Sequence, residues 1–327
     1  MSRLLEVKNL STEFTRPNGV VYAVNGVSFH VDQGESVGIV GESGSGKSVS
    51  VLSVLGLIAN NGRVTNGEAI FNGQDLLHLN ERQLRAIRGT EIGVIFQDPM
   101  TSLNPVKRIG WQIAESMVKH HLCNKREALS RAIDLLAEVG IPDAETRYRN
   151  YPFEFSGGMR QRVMIAIALA CKPQLLIADE PTTALDMTVQ MQVLALLRES
   201  ARSRNMATLI ITHDFGVATN LCSRLIVMYG SKIMEMATVE EFVRRPAHPY
   251  SIGLKSSIIS IGNRHKKISA IPGNAPVFTT PPEGCPFASR CGFALERCYK
   301  EIPPLRTLFP GHEVACHRAE EVMSNVI

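Results

Sequence analysis

The chain of 327 residues has no long apolar run. Its longest, Val163 to Cys171 and Leu175 to Ala178, fall well short of the ~20 residues that cross a bilayer, so no membrane-spanning helix is expected. The opening MSRLLEVKNL alternates like a strand and lacks both an apolar signal core and a small-residue cleavage site, which argues against secretion. There is no block of like charge: 35 basic residues stand against 31 acidic, and the net charge of +4 is spread along the chain. Nucleic acid is therefore not an expected partner. Sustained heptads are missing, as is the CxxC knuckle common in zinc sites.

What is present supports a large globular protein. With 44% apolar residues, the chain has material for two domains, or for one large domain with appendages. The segment SVGIVGESGSGKSVSVLSVLGL, from Ser36 to Leu57, reads as an apolar strand, a glycine-rich turn and an apolar helix. Gly41, Gly46, Lys47 and Ser48 match GxxxxGK[ST] in the strand-to-helix context the motif requires. Such a loop closes backbone N–H groups around phosphate oxygens, with the helix N-terminus adding positive polarity. Lys47 is placed to reach the terminal phosphates and Ser48 to ligate Mg²⁺. QLLIADEPTTALD, residues 174–186, supplies a short apolar run expected to be a buried parallel strand, ending in Asp179 and Glu180. Carboxylates at that edge of a sheet suit Mg²⁺ binding and orientation of an attacking water; alone, they could equally open a turn before Pro181.

A second anion cradle appears in FEFSGGMRQR, residues 153–162, where Ser156, Gly157 and Gly158 precede a helical run. By itself this is also an ordinary helix cap at Ser156. Taken in order, GESGSGKS, IFQDP, FSGGMRQR, LLIADEPTTALD and ITHD resemble the five nucleotide-binding motifs of the ATP-binding subunits of ABC transporters, over roughly residues 4 to 250. The resemblance implies an α/β fold: a P-loop ABC ATPase with a RecA-like core, an antiparallel β-subdomain and a helical subdomain at about 98–170. It implies ATP contacts along the loop (Gly41, Glu42, Ser43, Gly44, Ser45, Gly46, Lys47, Ser48, Val49), with Mg²⁺ held by Ser48, Gln97 and Asp179. Glu180 and His213 would act in hydrolysis, and Asp186 would communicate across a dimer. Ser156, Gly157 and Gly158 would serve the ATP on the opposite subunit, which answers why one chain carries two cradles. Tyr22 resembles the aromatic that stacks on adenine; the alternative is a strand residue pointing into a core. His213 has a plain alternative too, a hydrogen-bonded residue at a strand end. The usual signature is LSGGQ, so Phe155 and Met159 depart from it, and loss of the glutamine amide would weaken contacts near the nucleotide sugar. The RQR that follows, Arg160 to Arg162, is expected on a solvated or interdomain face.

Between Gln97 and the signature, Leu129, Ala132, Ile133, Leu136 and Ala137 recur at helical spacing, with Gly140 and Pro142 as the stop. In ABC subunits this arm docks a permease helix, and the segment from Asp98 to Met117, including Trp111, is the expected contact. After about residue 237 proline becomes frequent, predicting an irregular extension, residues 251–327. HPYSIGL and GCPFASRC resemble the C-terminal extension of the oligopeptide, dipeptide and nickel group of ABC importers. Cys285, Cys291, Cys298 and Cys316 crowd there, separated by 5, 6 and 17 residues. Four thiolates suit a [4Fe–4S] cluster or zinc, or stay unligated, with His312 and His317 as lesser candidates; the resemblance favours the cluster.

The reading is thus the ATPase subunit of a bacterial importer for peptides or similar solutes, peripheral on the cytoplasmic face of the inner membrane. Its partners would be a second ATPase, more often a paralogue, two permease subunits and, indirectly, an external binding protein. The alternatives are a soluble ABC ATPase of DNA repair or translation, disfavoured by a single motif set without a long coiled coil, and a P-loop kinase or GTPase, which needs no Ser-Gly-Gly signature.

Overall fold

The computed structural model describes residues 2–17, 19–183, 185–256, 271, 273, 276 and 278–324. The stretch 257–270 of the expected extension, and Ala184 within TTALD, lie outside the described residues. In chain order the strands are β1 (Arg3–Arg16), β2 (Gly19–Asp32), β3 (Ser36–Val40), β4 (Gly62–Phe71), β5 (Gln74–Asp75), β6 (Ile92–Ile95), β7 (Leu175–Asp179), β8 (Ala207–Thr212), β9 (Arg224–Tyr229), β10 (Lys232–Thr238), β11 (Arg306–Phe309) and β12 (His312–Val314). The chain divides into two compact units. One takes Leu79–Ile211 with the short pieces Met1–Leu4 and Val31–Glu35; the other takes Leu5–His30, Ser36–His78 and Thr212–Ile327.

In the first unit β8, β7 and β6 lie side by side and parallel, with Leu175 opposite both Ile92 and Ala207. The run Leu175 to Ala178 is at most 1% exposed, as an apolar strand without alternation predicts. The helix Lys125–Glu138 begins at Asn124, whose side chain accepts the Glu127 N–H at 3.0 Å, a cap worth about 1 kcal/mol. It buries Ala128, Ala132 and Leu136, while Ala137 is exposed, so the stripe is rotated from the expected one. Gly140, with φ 74°, ends it as expected.

The second unit holds an antiparallel sheet in the order β2-β1-β4-β5 and the strands β11-β12-β10-β9-β3. β3 pairs in parallel with β9, Val37 opposite Arg224. β9 and β10 form a hairpin closed by Gly230 and Ser231, both with positive φ, as a two-residue turn matched to strand twist requires. β12 pairs with β10, Glu235 opposite Val314, so the C-terminal extension adds strands beside those of the phosphate loop. The expectation of an irregular extension therefore holds only in part. Its seam is polar and dry: Glu235 and His312, both 0% exposed, bond at 2.8 Å. Glu235 also accepts the N–H groups of Ala247 and His248 at 2.8 and 2.9 Å, which satisfies the buried carboxylate.

Candidate functional site

The loop Gly41–Gly46 runs from β3 into the helix Lys47–Val54. Gly46 has φ +98°, and a Cβ there would lie 2.4 Å from the Ala23 carbonyl; at Gly41, φ +153°, it would lie 2.1 Å from that of Met228. Neither position accepts a side chain, because the loop is pressed against β2 and β9. Lys47 is 6% exposed, and its ammonium donates to the Gly41 and Glu42 carbonyls, each at 2.8 Å, and to Ser45 Oγ at 3.4 Å. The cation is parked on the loop it would leave for phosphate. Beside it, Tyr22 joins Phe14, Gly44, Gly46, Val49 and Phe278 in lining a cleft of about 300 Å³, large enough for a base and sugar. The Tyr22 N–H donates to the Phe278 carbonyl at 3.1 Å, and the Tyr22 carbonyl accepts the Ser231 hydroxyl at 2.7 Å. The structure thus gathers Tyr22, Gly44, Gly46 and Val49 at one cleft. It adds Phe278, which sequence reasoning missed. In the same unit His213 is exposed, and the next residue, Asp214, caps the helix Phe215–Leu221.

In the first unit Asp179 closes β7 and Glu180 follows in the left-handed region, φ 49°, a strained conformation for a non-glycine residue. Its N–H donates to the Ile211 carbonyl and its carboxylate accepts the Thr183 hydroxyl, both at 2.8 Å, which fixes the acid at the sheet edge. Gln97, just past β6, is exposed. Ser156 caps the helix Gly157–Leu169 by accepting the Met159 N–H at 3.3 Å, and both Ser156 and Gly157 are open to solvent. A Cβ on Gly158 would meet Val189 Cγ1 at 2.5 Å. Val189 lies in the helix Met187–Ser203, where Asp186 accepts its N–H at 3.0 Å. The structure therefore brings the signature and Asp186 together. Phe155, the departure from LSGGQ, is a core residue at 3% exposure.

The RQR segment differs from expectation. Gln161 is 2% exposed, Arg160 donates to the Pro152 carbonyl at 2.8 Å, and Arg162 donates to the Val139 carbonyl and Gln192 at 2.7 and 2.9 Å. It ties the helical region internally, because long stems reach carbonyls left over at loop ends. Phe96, Met100, Val106 and Phe153 stand exposed around this region, whereas Trp111 is half-buried with the Lys125 ammonium 5.0 Å from its ring centre.

The four cysteines of the extension line one cavity of about 20 Å³ with His248, Phe293 and His317. Their sulfurs accept backbone N–H groups: Cys291 from Phe293 at 3.4 Å, Cys298 from Leu295 at 3.5 Å and Cys316 from Arg318 at 3.4 Å. Among the described residues no three His, Cys, Asp or Glu side chains are grouped so as to hold a metal ion. Burial pushes the Cys285 thiol up to about 12 and the Cys316 thiol to about 11, so both are protonated at neutral pH. Convergence and N–H donors are what a cysteine-held group would need. His312 is engaged by Glu235, away from this cavity's lining.

Two further residues escaped the sequence reading. Tyr250 Oη accepts the Glu42 N–H at 2.8 Å, and the Arg290 guanidinium bonds the Glu42 carboxylate at 2.8 Å. Both stand inside the motifs HPYSIGL and GCPFASRC.

Residues 24–183 match the family described as ABC transporter, and residues 234–298 that described as oligopeptide/dipeptide transporter, C-terminal region. The oligopeptide transport ATP-binding protein OppD of Salmonella typhimurium is 48% identical over 318 residues, covering 97% of this chain and 94% of its own. AppD of Bacillus subtilis, also described as an oligopeptide transport ATP-binding protein, is 48% identical over 322 residues, 98% of each chain. The dimeric structure of the bacterial ABC transporter cassette MJ0796 superimposes with a TM-score of 0.65 at 26% identity, covering 72% of this chain and 98% of that one.

Proposed function

The chain belongs to the ABC transporter ATP-binding proteins, in their oligopeptide and dipeptide branch, and from that premise we propose that it hydrolyses ATP to drive import of peptides or similar solutes. The observation that carries this reading is the pairing of a closed phosphate loop, with Lys47 parked on its carbonyls, and an oligopeptide-type tail folded into the same compact unit.

In this reading Tyr22 stacks on the base, and the N–H groups of the loop with Lys47 take the phosphates. Ser48, Gln97 and Asp179 would hold Mg²⁺, which when bound would supply positive charge to the phosphate oxygens. Glu180 orients the attacking water and takes its proton, held ready by Thr183. His213 contacts the γ-phosphate. Ser156 and Gly157, open to solvent at a helix start, serve the nucleotide of a second ATPase, most simply a paralogue. In the same reading the exposed Phe96, Met100, Val106 and Phe153 supply the apolar face for two permease subunits, with the protein on the cytoplasmic side of the inner membrane. No helix among the described residues is long and apolar enough to cross a membrane. The oligopeptide-type tail leaves the DNA-repair or translation alternative without a supporting feature.

The test is Glu180→Gln. Turnover falls by about 10²–10³-fold, as expected for loss of a general base, while nucleotide is retained. Normal steady-state hydrolysis would refute the assignment.

For the four-thiol cavity our reading is an iron–sulfur cluster, whose binding would displace the thiol protons and leave thiolates stabilised by backbone N–H groups such as those on Cys291, Cys298 and Cys316. Zinc is the rival. Anaerobic purification yields brown protein with iron and acid-labile sulfide if the assignment is right, and colourless protein with stoichiometric zinc if it is wrong.

A further inference from the structure

We propose that the C-terminal tail is a working part of the nucleotide site: Arg290 and Tyr250 are positioning residues that hold the phosphate loop in its binding shape by clamping Glu42. The proposal rests on the reading of Gly41 to Ser48 as the phosphate loop.

Glu42 is gripped at three points. Its N–H donates to Tyr250 Oη at 2.8 Å, its carboxylate accepts from Arg290 Nη1 at 2.8 Å, and its carbonyl accepts from Lys47 Nζ at 2.8 Å. The first two grips come from the tail, 208 and 248 residues away in sequence. Neither is a surface contact: the Arg290 side chain is 7% exposed and Tyr250 is fully buried. Arg290 spends both arms of its fork. Nη1 also donates to Tyr229 Oη at 3.0 Å, while Nη2 donates to the carbonyls of Ile271 and Gly273 at 3.2 and 3.0 Å. One arm thus faces the loop and the other the tail, a bridging geometry that a planar guanidinium supplies and a lysine does not.

The clamp matters for binding because Lys47 must give up the Gly41 and Glu42 carbonyls to reach phosphate. If the Glu42 peptide is fixed, only the lysine side chain moves. If it is loose, the loop must be ordered at the moment of binding, and affinity falls by that ordering cost. The same device ties the loop to the thiol cavity, since Arg290 ends the short turn Ala288–Arg290 between Cys285 and Cys291, and Ala288 lines that cavity.

The experiment uses the full chain and a fluorescent non-hydrolysable ATP analogue, with ATPase kinetics in parallel. Arg290→Gln raises Kd and KM about tenfold, the loss expected for a partly buried charge-assisted bond, while kcat moves much less; Arg290→Lys recovers only part. Glu42→Gln gives a similar loss, and the double variant is no worse than either single one, because both act through one contact. Affinities within twofold of the parent, or losses that add, would overturn the clamp. If Arg290→Gln fails to fold, Glu42→Gln decides: weakened binding at an unchanged melting temperature supports the proposal, and unchanged binding refutes it. Lys47→Ala is the control for the underlying reading. It abolishes binding if the loop is the phosphate site, whatever Arg290 does, and if it binds normally the site itself has been misplaced.

Discussion

At the scale of single residues, contact geometry decides what a substitution does. Gly46→Ala must place a methyl 2.4 Å from the Ala23 carbonyl at φ +98°, so it costs about 2–3 kcal/mol of stability; chemical denaturation and nucleotide titration should both register it. His248 makes a different prediction. Desolvation lowers its pKa to about 4, with the Glu235 charge opposing, so the folded protein keeps it neutral where the unfolded chain protonates at about 6.5. The unfolded state therefore binds the extra proton between those values, and stability is lost as pH falls from about 6.5 toward about 4, by on the order of 3 kcal/mol. His248→Gln should flatten that part of a melting-temperature profile. Residues such as Lys47 and Ser48 were legible in the sequence because a phosphate loop is a contiguous object, its chemistry written within eight residues. Arg290 and Tyr250 were not, because their partner Glu42 is more than two hundred positions away and no local pattern announces the meeting.

At the scale of elements, length and pairing explain what was readable. β7 was plain as an unbroken apolar run, and the helix Lys125–Glu138 as a periodic one, though its buried stripe turns on Ala128 rather than Ala137. β11 and β12, of four and three residues, are too short to carry an alternation signal, and exist because β10 offers a free edge to β12. What secures that edge is Glu235. Glu235→Leu would strand the Ala247 and His248 N–H groups and leave His312 without its carboxylate, so it should cost about 3–5 kcal/mol and loosen the tail first. Hydrogen exchange would find protection lost at β12 before β9. If both strands opened together, the seam would not be a separable element.

At the scale of the whole molecule, the proposed sandwich gives the signature a task only when a second nucleotide site is present. Glu180→Gln with ATP should elute at the mass of a pair of ATPase chains, and adding Ser156→Arg, a bulky cation at the open helix start, should return it to a single chain. Light scattering on both variants settles the matter, and a single-chain mass for Glu180→Gln alone would count against the sandwich. A tagged chain drawn from gently solubilised membranes should carry two permeases and a second ATPase.

The arginine set between Cys285 and Cys291 also leaves a trace in descent. A half-buried loop acid and a buried tail base that neutralise one another cannot drift independently, since the arginine left alone is a stranded charge. In aligned relatives, exchange of Glu42 for a neutral residue should coincide with loss of Arg290. Chimeras that graft this tail onto a cassette without the acid should inherit the strands but not the ATP affinity.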